Sequence, residues 1–445
     1  LAGCGRLDPP EKNGELVVAI RSGPSSYQLE DGKANGFEHD MVQAFADYLK
    51  LPVRFIPVGN QLELRELVKT GKVHFAAAAS IEDGLELQFT PPLRETDAIL
   101  VGPASDLDFP TDGAELDGKR VEAMVASPQA IALARMAGNP PKFTLLERTG
   151  VGEFELLQDV ADQKADFAAT DLLQFHLALQ FLPNLEVAMA LPGRLRFGWG
   201  FAPTNKALLE KARAFIEGAN RDGTTARMKD RYFGHIERIK PQGIADFIED
   251  IQTRLSHYRK DFQDAQAASG IDWRLIAALA YQESKWDPLA TSPTNVRGMM
   301  MLTEDTADRL RVSNRLDARQ SIRAGARYLA DLRDELPDEI PEPDRTWMAL
   351  ATYNLGQGHM NGAFAIAFGL KRDTNSWFEM KKVLPLMARP EYYARLKSGK
   401  ARGGEAVIMV ENIRTFHDIL SHFEPAWRPT PLPVRGFGLK LPAGR

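Results

Sequence analysis

The segment YQESKWDPLATS, residues 281–292, and the run GMMM, residues 298–301, carry the strongest structural signal in this chain. Apolar residues recur before the segment at helical spacing, and continuing that stripe by three and four positions reaches Glu283 and Ser284. A lone Glu is therefore predicted on the buried face at the end of an apolar helix; from position alone, a helix-end Glu capped by solvent is the alternative. Burial disfavours the charged form of a carboxyl, so the pKa of Glu283 should rise and leave a proton available near neutral pH. The apolar stripe consists of Trp273, Ile276, Ala277 and Ala280.

Length and charge limit the classes to which the chain can belong. Its 445 residues are too many for one ordinary hydrophobic core, so we expect two or more domains. The formal net charge is −5 and no basic block is present, so we expect no nucleic-acid partner. No apolar run approaches the length of a transmembrane helix. Neither a metal ion nor another cofactor is expected.

Residues 14–235 alternate short apolar runs with amphipathic stretches. Residues 15–20, 53–58 and 74–79 are typical of buried strands, and helical patterns lie between them. This alternation predicts an open, mostly parallel sheet. The pattern restarts after residue 103, which predicts a two-lobed α/β domain.

Two motifs in this region resemble the extracellular solute-binding proteins of the polar amino acid type: Gly36-Phe-Glu-His-Asp-Met and Phe89-Thr-Pro-Pro. The resemblance implies a periplasmic-binding-protein-like fold that binds a small ligand, for which a cell-wall fragment is one candidate. Asp171 matches the acidic residue that holds a ligand's ammonium; equally, it suits the N-cap of the helix that follows. Relatives clamp the ligand carboxylate with an Arg, but the matching position here is Asp83, which argues against an ordinary amino-acid carboxylate in the usual pose.

The rest of the chain has a different character. We predict a linker over residues 236–255, which contains Lys240-Pro-Gln-Gly, and a mostly helical domain over residues 256–422. Residues 423–445 form a tail rich in Pro and Gly.

Several motifs of the helical region occur in the order and spacing of the lysozyme-like lytic transglycosylases: Glu283-Ser284, Gly298-Met-Met, Gly325-Ala-Arg-Tyr-Leu and Ala351-Thr-Tyr-Asn-Leu-Gly. Several motifs in register are far more specific than one. The later runs Ala401-Arg-Gly-Gly-Glu-Ala and Val410-Glu-Asn-Ile-Arg resemble the membrane-bound subgroup F of these enzymes. The resemblance implies a mostly-α lysozyme-like domain that acts on the glycan strands of peptidoglycan.

Glycoside hydrolases usually use two carboxylates, whereas the matching motifs supply only Glu283. Asp287, in an Asp-Pro pair, is expected in the turn that ends the helix. The resemblance implies that protonated Glu283 donates to the oxygen between N-acetylmuramic acid and N-acetylglucosamine. Its carboxylate would then take the proton of the C6 hydroxyl as that hydroxyl attacks C1. The product is a 1,6-anhydromuramyl end, and no water is consumed.

Five further residues match positions expected to bind substrate: Ser284, Met299, Met300, Tyr353 and Asn354. For Ser284 the alternative is a hydrogen bond back to its own helix, and for Tyr353 it is a satisfied core tyrosine. A methionine cluster is more often core than groove. One position departs from the family, because Met409 stands where relatives often carry a Tyr near the catalytic Glu.

The chain contains a single cysteine, Cys4, in the sequence Leu-Ala-Gly-Cys. These four residues resemble the lipobox at which a bacterial signal peptide is cut before a lipidated cysteine, which implies residues 1–13 as a lipoprotein N-terminus and tether. Gly5 resembles an outer-membrane sorting signal, so we expect an anchored enzyme on the periplasmic face of the outer membrane. The competing interpretations are a muramidase that hydrolyses the same bond, and a ligand receptor whose lytic domain is inert. A ligand module fused to a lytic one also suggests regulation.

Overall fold

A computed structural model of the chain describes residues 6–81, 86–104, 110, 112–138 and 140–428. The chain divides into two compact units, Leu1–Asp250 and Ile251–Arg445. The expectations for Cys4, for Asp83 and for the Pro/Gly-rich tail beyond residue 428 fall outside the described residues.

The first unit is built on a mixed sheet with helices on both faces. Its central sheet has nine strands, in which the order along the main path is β4-β1-β5-β11-β7-β10-β8-β9 and β6 pairs with β11. β2 and β3 form a separate hairpin. The strands are β1 (Leu16–Arg21), β2 (Gln28–Glu30), β3 (Lys33–Asn35), β4 (Val53–Val58), β5 (Phe75–Ser80), β6 (Gln88–Phe89), β7 (Arg94–Pro103), β8 (Arg120–Met124), β9 (Thr144–Arg148), β10 (Phe167–Asp171) and β11 (Leu185–Phe201).

In its described residues, the α/β region of the first unit contains eight helices. They are α1 (Pro10–Asn13), α2 (Phe37–Leu49), α3 (Gln61–Lys69), α4 (Pro128–Ala137), α5 (Glu153–Ala161), α6 (Leu172–Leu179), α7 (Lys206–Arg221) and α8 (Thr224–Phe233).

Strand direction divides this unit into two lobes. β1 pairs in parallel with β4 and β5, and β8 pairs in parallel with β9 and β10. The long strands β7 and β11 are antiparallel to each other and run through both groups. We call β1 to β6 with α2, α3, α7 and α8 the first lobe, and β8 to β10 with α4 to α6 the second lobe. Each lobe has buried apolar clusters of its own. The two-lobed α/β prediction is confirmed.

The chain is helical where the linker was predicted. Helix α9 (Pro241–Thr253) begins at a proline, which suits a first helical position because no backbone N–H is needed there. Helix α9 ends at Thr253, and α10 (Leu255–Ser269) follows it. The division between the two compact units falls within α9.

The second unit is helical, and its described residues include isolated β-bridges but no strand. This confirms the predicted mostly-α class. After α10 the helices are α11 (Trp273–Ser284), α12 (Glu304–Arg309), α13 (Ala318–Asp334), α14 (Asp344–Leu355), α15 (Gln357–Gly369), α16 (Trp377–Val383), a 3₁₀ helix (Leu384–Ala388), α17 (Pro390–Tyr393) and α18 (Gly403–Phe423).

Helix α11 is the centre of this unit. Every residue from Trp273 to Tyr281 is buried, so the helix is enclosed on all sides rather than on one stripe. The indole N–H of Trp286 donates to the carbonyl of Ala277 at 2.8 Å and fixes the chain after the helix.

Buried polar groups hold α18 in place. Glu411 has no exposed surface; its carboxylate accepts hydrogen bonds from the indole of Trp377 at 2.7 Å and from Arg414 at 2.9 Å. A buried carboxylate is tolerated only when paired in this way. Within the described ranges, no helix combines the length and the apolar character needed to cross a membrane.

Candidate active site in the helical unit

Glu283 lies in the last turn of α11. The helix ends because Lys285 adopts the left-handed region, with φ 54°, while its N–H still donates to the carbonyl of Tyr281. The ammonium of Lys285 lies 4.1 Å from the centre of the Tyr281 ring, so the nearest cation in sequence packs on an aromatic face. Asp287 accepts the N–H of Leu289 at 2.9 Å, which is the turn geometry expected for it.

A cleft of about 240 Å³ opens beside Glu283. Three helices line it: α11, α14 and α18. The lining residues are Gln282, Glu283, Asn354, Glu405, Ile408 and Met409. Of the residues expected to bind substrate, Asn354 is therefore the one whose side chain shares the cleft with Glu283.

Burial raises the pKa of Glu283 to about 7. The side chain is half-buried, and among the described residues none donates a hydrogen bond to its carboxyl or forms an ion pair with it. Nothing therefore offsets the cost of removing the charged form from water. Near neutral pH the carboxyl is present both protonated and ionised, which a group that first gives and then takes a proton requires.

Tyr353 lies close enough to Glu283 for the two side chains to interact electrostatically. Burial, the negative charge of Glu283 and then Tyr328 raise the pKa of Tyr353 well above its ordinary value, so the phenol stays neutral. Its hydroxyl donates to the carbonyl of Met300 at 2.8 Å. The hydrogen is thus used to join α14 to the strip formed by residues 298–301.

Ser284 is also bonded to this strip. Its hydroxyl lies 3.1 Å from the carbonyl of Ala280 and 2.8 Å from that of Met299, so both contacts are to backbone. The bond back to its own helix is the alternative that the sequence had left open. Met299 and Met300 have no exposed surface, which differs from the substrate contact expected for them: their side chains fill the core, where flexible thioethers pack well.

The strip turns at Gly298, which has φ 85°. Its N–H donates to the carbonyl of Ala290 at 2.8 Å. A Cβ at this position would lie 1.8 Å from the carbonyl oxygen of Arg315, so no side chain fits.

Three residues of the cleft were not predicted from the sequence: Gln282, Glu405 and Ile408. Glu405 is exposed in the first turn of α18 and forms an ion pair with Arg402 at 3.3 Å. The run containing Glu405 was recognised as a motif, but more than 120 residues separate it from Glu283, and nothing local in the sequence shows that the two share a cleft. Groups of His, Cys, Asp or Glu able to hold a metal ion are absent from the described part of the chain.

In the first unit, Asp171 has no exposed surface. Its carboxylate caps α6 by accepting the N–H groups of Leu173 at 3.0 Å and Gln174 at 3.1 Å. It also forms an ion pair with Arg94, whose Nη1 lies 3.2 and 3.0 Å from the two oxygens. Asp171 is thus the helix cap that the sequence allowed, and its oxygens are already engaged.

Two family models match the chain. Residues 16–235 match the bacterial extracellular solute-binding proteins, family 3, and residues 260–375 match the transglycosylase SLT domain. The match to the second model includes Glu283, Gly298 and Tyr353.

Curated relatives match over almost the whole chain. A membrane-bound lytic murein transglycosylase F from Methylobacillus flagellatus is 41% identical over 95% of this chain and 91% of its own length. The chain belongs to the membrane-bound lytic murein transglycosylase F family. Other members are the proteins of Thiobacillus denitrificans, 41% identical over 96% of this chain and 92% of the relative, and Pseudomonas syringae pv. syringae, 37% identical over 93% and 84%.

A solved substrate binding protein of an amino acid ABC transporter covers 50% of this chain and 100% of its own, with 15% identity and a TM-score of 0.44. At this low sequence identity, the likeness gives no information about the ligand of this chain.

Replacing Gly298 with Ala should destabilise the second unit through both backbone strain and a clash. The matched control is Gly270→Ala, because Gly270 has φ 71° but nothing within 4 Å of a Cβ. We expect the control to lose about 1 kcal/mol of unfolding free energy and Gly298→Ala about 3 kcal/mol or more, measured by urea denaturation. Equal losses would show that the carbonyl of Arg315 moves aside freely.

Proposed function

We propose that the second unit cleaves the β-1,4 bond between N-acetylmuramic acid and N-acetylglucosamine in peptidoglycan and leaves 1,6-anhydromuramyl ends. The observation that carries this proposal is Glu283, a half-buried carboxyl with a pKa of about 7 and no protein partner among the described residues, at the wall of an open cleft. Family membership supports the substrate class.

Glu283 performs both proton transfers in the proposed reaction. Protonated, it donates to the glycosidic oxygen as the bond to C1 breaks. The N-acetyl group of the substrate supports the positive charge that develops at C1. Glu283, now a carboxylate, accepts the proton of the C6 hydroxyl as that oxygen bonds to C1. The proton given is regained and water is not consumed, so a pKa near the working pH suits both steps.

The other residues serve this carboxyl in different ways. The amide of Asn354 faces the cleft and offers a donor and an acceptor to the substrate. Ser284 and Tyr353 hold the strip through its carbonyl groups, and Met299 and Met300 support it from the core. We therefore propose direct substrate contact for Asn354 and an indirect, positioning role for the other four.

A hydrolase is the second candidate, and Glu405 favours it. The expectation that only one carboxyl serves the site was based on motifs, whereas Glu405 lines the same cleft as Glu283. A second carboxylate could activate water, as in inverting glycosidases. Against this role, Glu405 is exposed and its carboxylate is already paired with Arg402.

Products separate the two reactions. Purified peptidoglycan digested by the full chain should give muropeptides one water lighter than reducing ones, as judged by mass spectrometry. Glu283→Gln should abolish them, because the amide neither gives nor takes a proton, with a loss of rate on the order of a thousandfold or more. Glu405→Gln should keep the anhydro product. Reducing-end products that vanish with Glu405→Gln would instead establish a hydrolase.

The pH profile tests the protonation state. Because Glu283 must start protonated and its pKa is about 7, kcat/KM should fall by about tenfold per pH unit as pH rises above 7. Met409→Tyr places a hydroxyl in the cleft that can donate to the ionised carboxyl, lower its pKa and move this limb to lower pH. Met409→Leu is the control, and its limb should stay in place. A wild-type rate that is flat from pH 6 to 9 would contradict the acid role.

For the first unit we propose binding of a small ligand, which the family 3 match supports. Cell-wall fragments are the natural source of such a ligand for an enzyme that acts on the wall, and ligand binding is then able to regulate glycan cleavage. We also propose a lipid anchor on Cys4 at the periplasmic face of the outer membrane. The Leu-Ala-Gly-Cys motif supports this anchor, and so does the description of the relatives as membrane-bound.

The anchor is tested by expressing the full gene in a Gram-negative host and separating the membranes. Cys4→Ser should move the protein from the outer-membrane fraction to the soluble fraction, because the lipid is lost. The control Gly5→Asp keeps the cysteine and alters only the sorting signal. This variant should remain in the membrane fraction but should be lost from the outer membrane. A Cys4→Ser protein that remains in the outer membrane would exclude lipid on this residue as the anchor.

A further inference from the structure

One wall of the cleft beside Glu283 is formed by a single face of α18. Glu405, Ile408 and Met409 all line the cleft, and their spacing of three and four positions places side chains on the same side of a helix. Met409 is buried, whereas Glu405 is exposed and Ile408 keeps 50% of its surface exposed. The wall therefore has a closed part at Met409 and an open part that presents one carboxylate beside one apolar side chain.

The carboxylate of Glu405 is held only loosely. Its partner Arg402 lies at 3.3 Å, and the two side chains are 63% and 80% exposed. Exposed ion pairs of this kind contribute little to stability, so a cation that enters the cleft can take the place of Arg402. The first turn of a helix favours an acidic residue for its own stability, but this preference does not explain the exposed Ile408 on the same face.

Glu405 also lies apart from the reacting carboxyl. Burial is the cause of the raised pKa of Glu283, and the charge of Glu405 does not add to it. Two carboxylates in contact would raise the pKa of one another. Ligand sites combine apolar lining with a few polar groups that fix orientation, and Ile408 with Glu405 has this composition at a distance from the chemistry.

The substrate carries groups that match this part of the wall. In peptidoglycan a short stem peptide begins at the lactyl group of N-acetylmuramic acid, which is one of the two sugars whose bond Glu283 is proposed to cleave. The peptide therefore begins within or beside the cleft. It contains alanine, whose methyl groups are apolar, and a diamino acid, whose second amino group is a free ammonium until a cross-link converts it to an amide.

We propose that Glu405 and Ile408 form a subsite for the stem peptide of uncross-linked strands, in which Glu405 binds the free ammonium of the diamino acid and Ile408 packs against the alanine methyl groups. The inference rests on the proposed cleavage of peptidoglycan and names the form of the strand that the enzyme prefers. Cross-linking removes the positive charge, so a cross-linked stem loses its attraction to Glu405.

The test compares two substrates with the full chain. One is a preparation of soluble glycan strands with uncross-linked stem peptides, and the other is the same preparation after acetylation of its free amino groups, which removes the ammonium and keeps the glycan. We expect kcat/KM to be about three- to fivefold lower on the acetylated strands, because exposed charge pairs are weak. In Glu405→Gln the ratio of the two rates should fall to about one.

Two further variants separate recognition from helix stability. Arg402→Ala removes the competing guanidinium, so the ratio should rise above that of the wild type. The matched control is Glu391→Gln, because Glu391 is an exposed carboxylate in the first turn of α17 and does not line the cleft. This control should keep the wild-type ratio. A Glu405→Gln enzyme with the wild-type ratio, or a wild type that cleaves both substrates equally well, would overturn the inference.

Binding without turnover keeps this inference separate from the proposed reaction. Glu283→Gln lacks the proton donor, and calorimetry on this variant should show the uncross-linked strands bound about three- to fivefold more tightly than the acetylated strands. Equal affinities would contradict the subsite. Formation of 1,6-anhydro ends by the wild type on strands whose peptides have been removed shows independently whether the proposed reaction takes place.

Discussion

The second unit depends on the enclosure of α11. Because residues 273–281 are buried on every side, the end of the helix has one position, and Glu283 is carried with it to the wall of the cleft. Burial raises the pKa of this carboxyl to about 7, and no ion-pair partner among the described residues lowers it again. In most proteins a buried carboxyl without a partner is a defect that costs stability. Here the same cost supplies a proton donor at neutral pH.

Around this carboxyl the chain uses backbone contacts more than side-chain contacts. Gly298 allows the strip to approach Arg315, and Ser284 and Tyr353 bond to the carbonyl groups of Met299 and Met300. These two hydroxyls therefore position the strip of residues 298–301. The cleft itself presents a small set of polar groups, in which Asn354 and Glu405 join the catalytic candidate. One set of residues thus supports the site and another set lines the cleft, and such support keeps a reacting group in one geometry.

The first unit uses its buried charges differently. Asp171 and Arg94 satisfy each other, and the helix cap completes the bonds of the carboxylate. Arg21 and Glu153 are equally buried, yet each keeps an atom without a partner in the described part of the chain. The first pair is satisfied by its partners, whereas the second, the ion pair of Arg21 with Glu153, is satisfied only in part. The family signature does not show this difference, because it identifies the position of Asp171 in the sequence but not the groups that bond to its side chain.

The sequence by itself determined the two-domain plan, the α/β and helical classes, the family, and Glu283 as the buried carboxyl at a helix end. Those features follow from local periodicity and from motifs in register, which short stretches of chain contain. Only the tertiary structure decided that Met299 and Met300 fill the core, that the predicted linker contains a helix, that Arg94 forms an ion pair with Asp171, and that Glu405 lines the cleft. Except for the helix in the linker, each of these depends on residues far apart in sequence that packing brings together. Side-chain burial and hydrogen-bond partners are properties of that packing, and no local pattern encodes them.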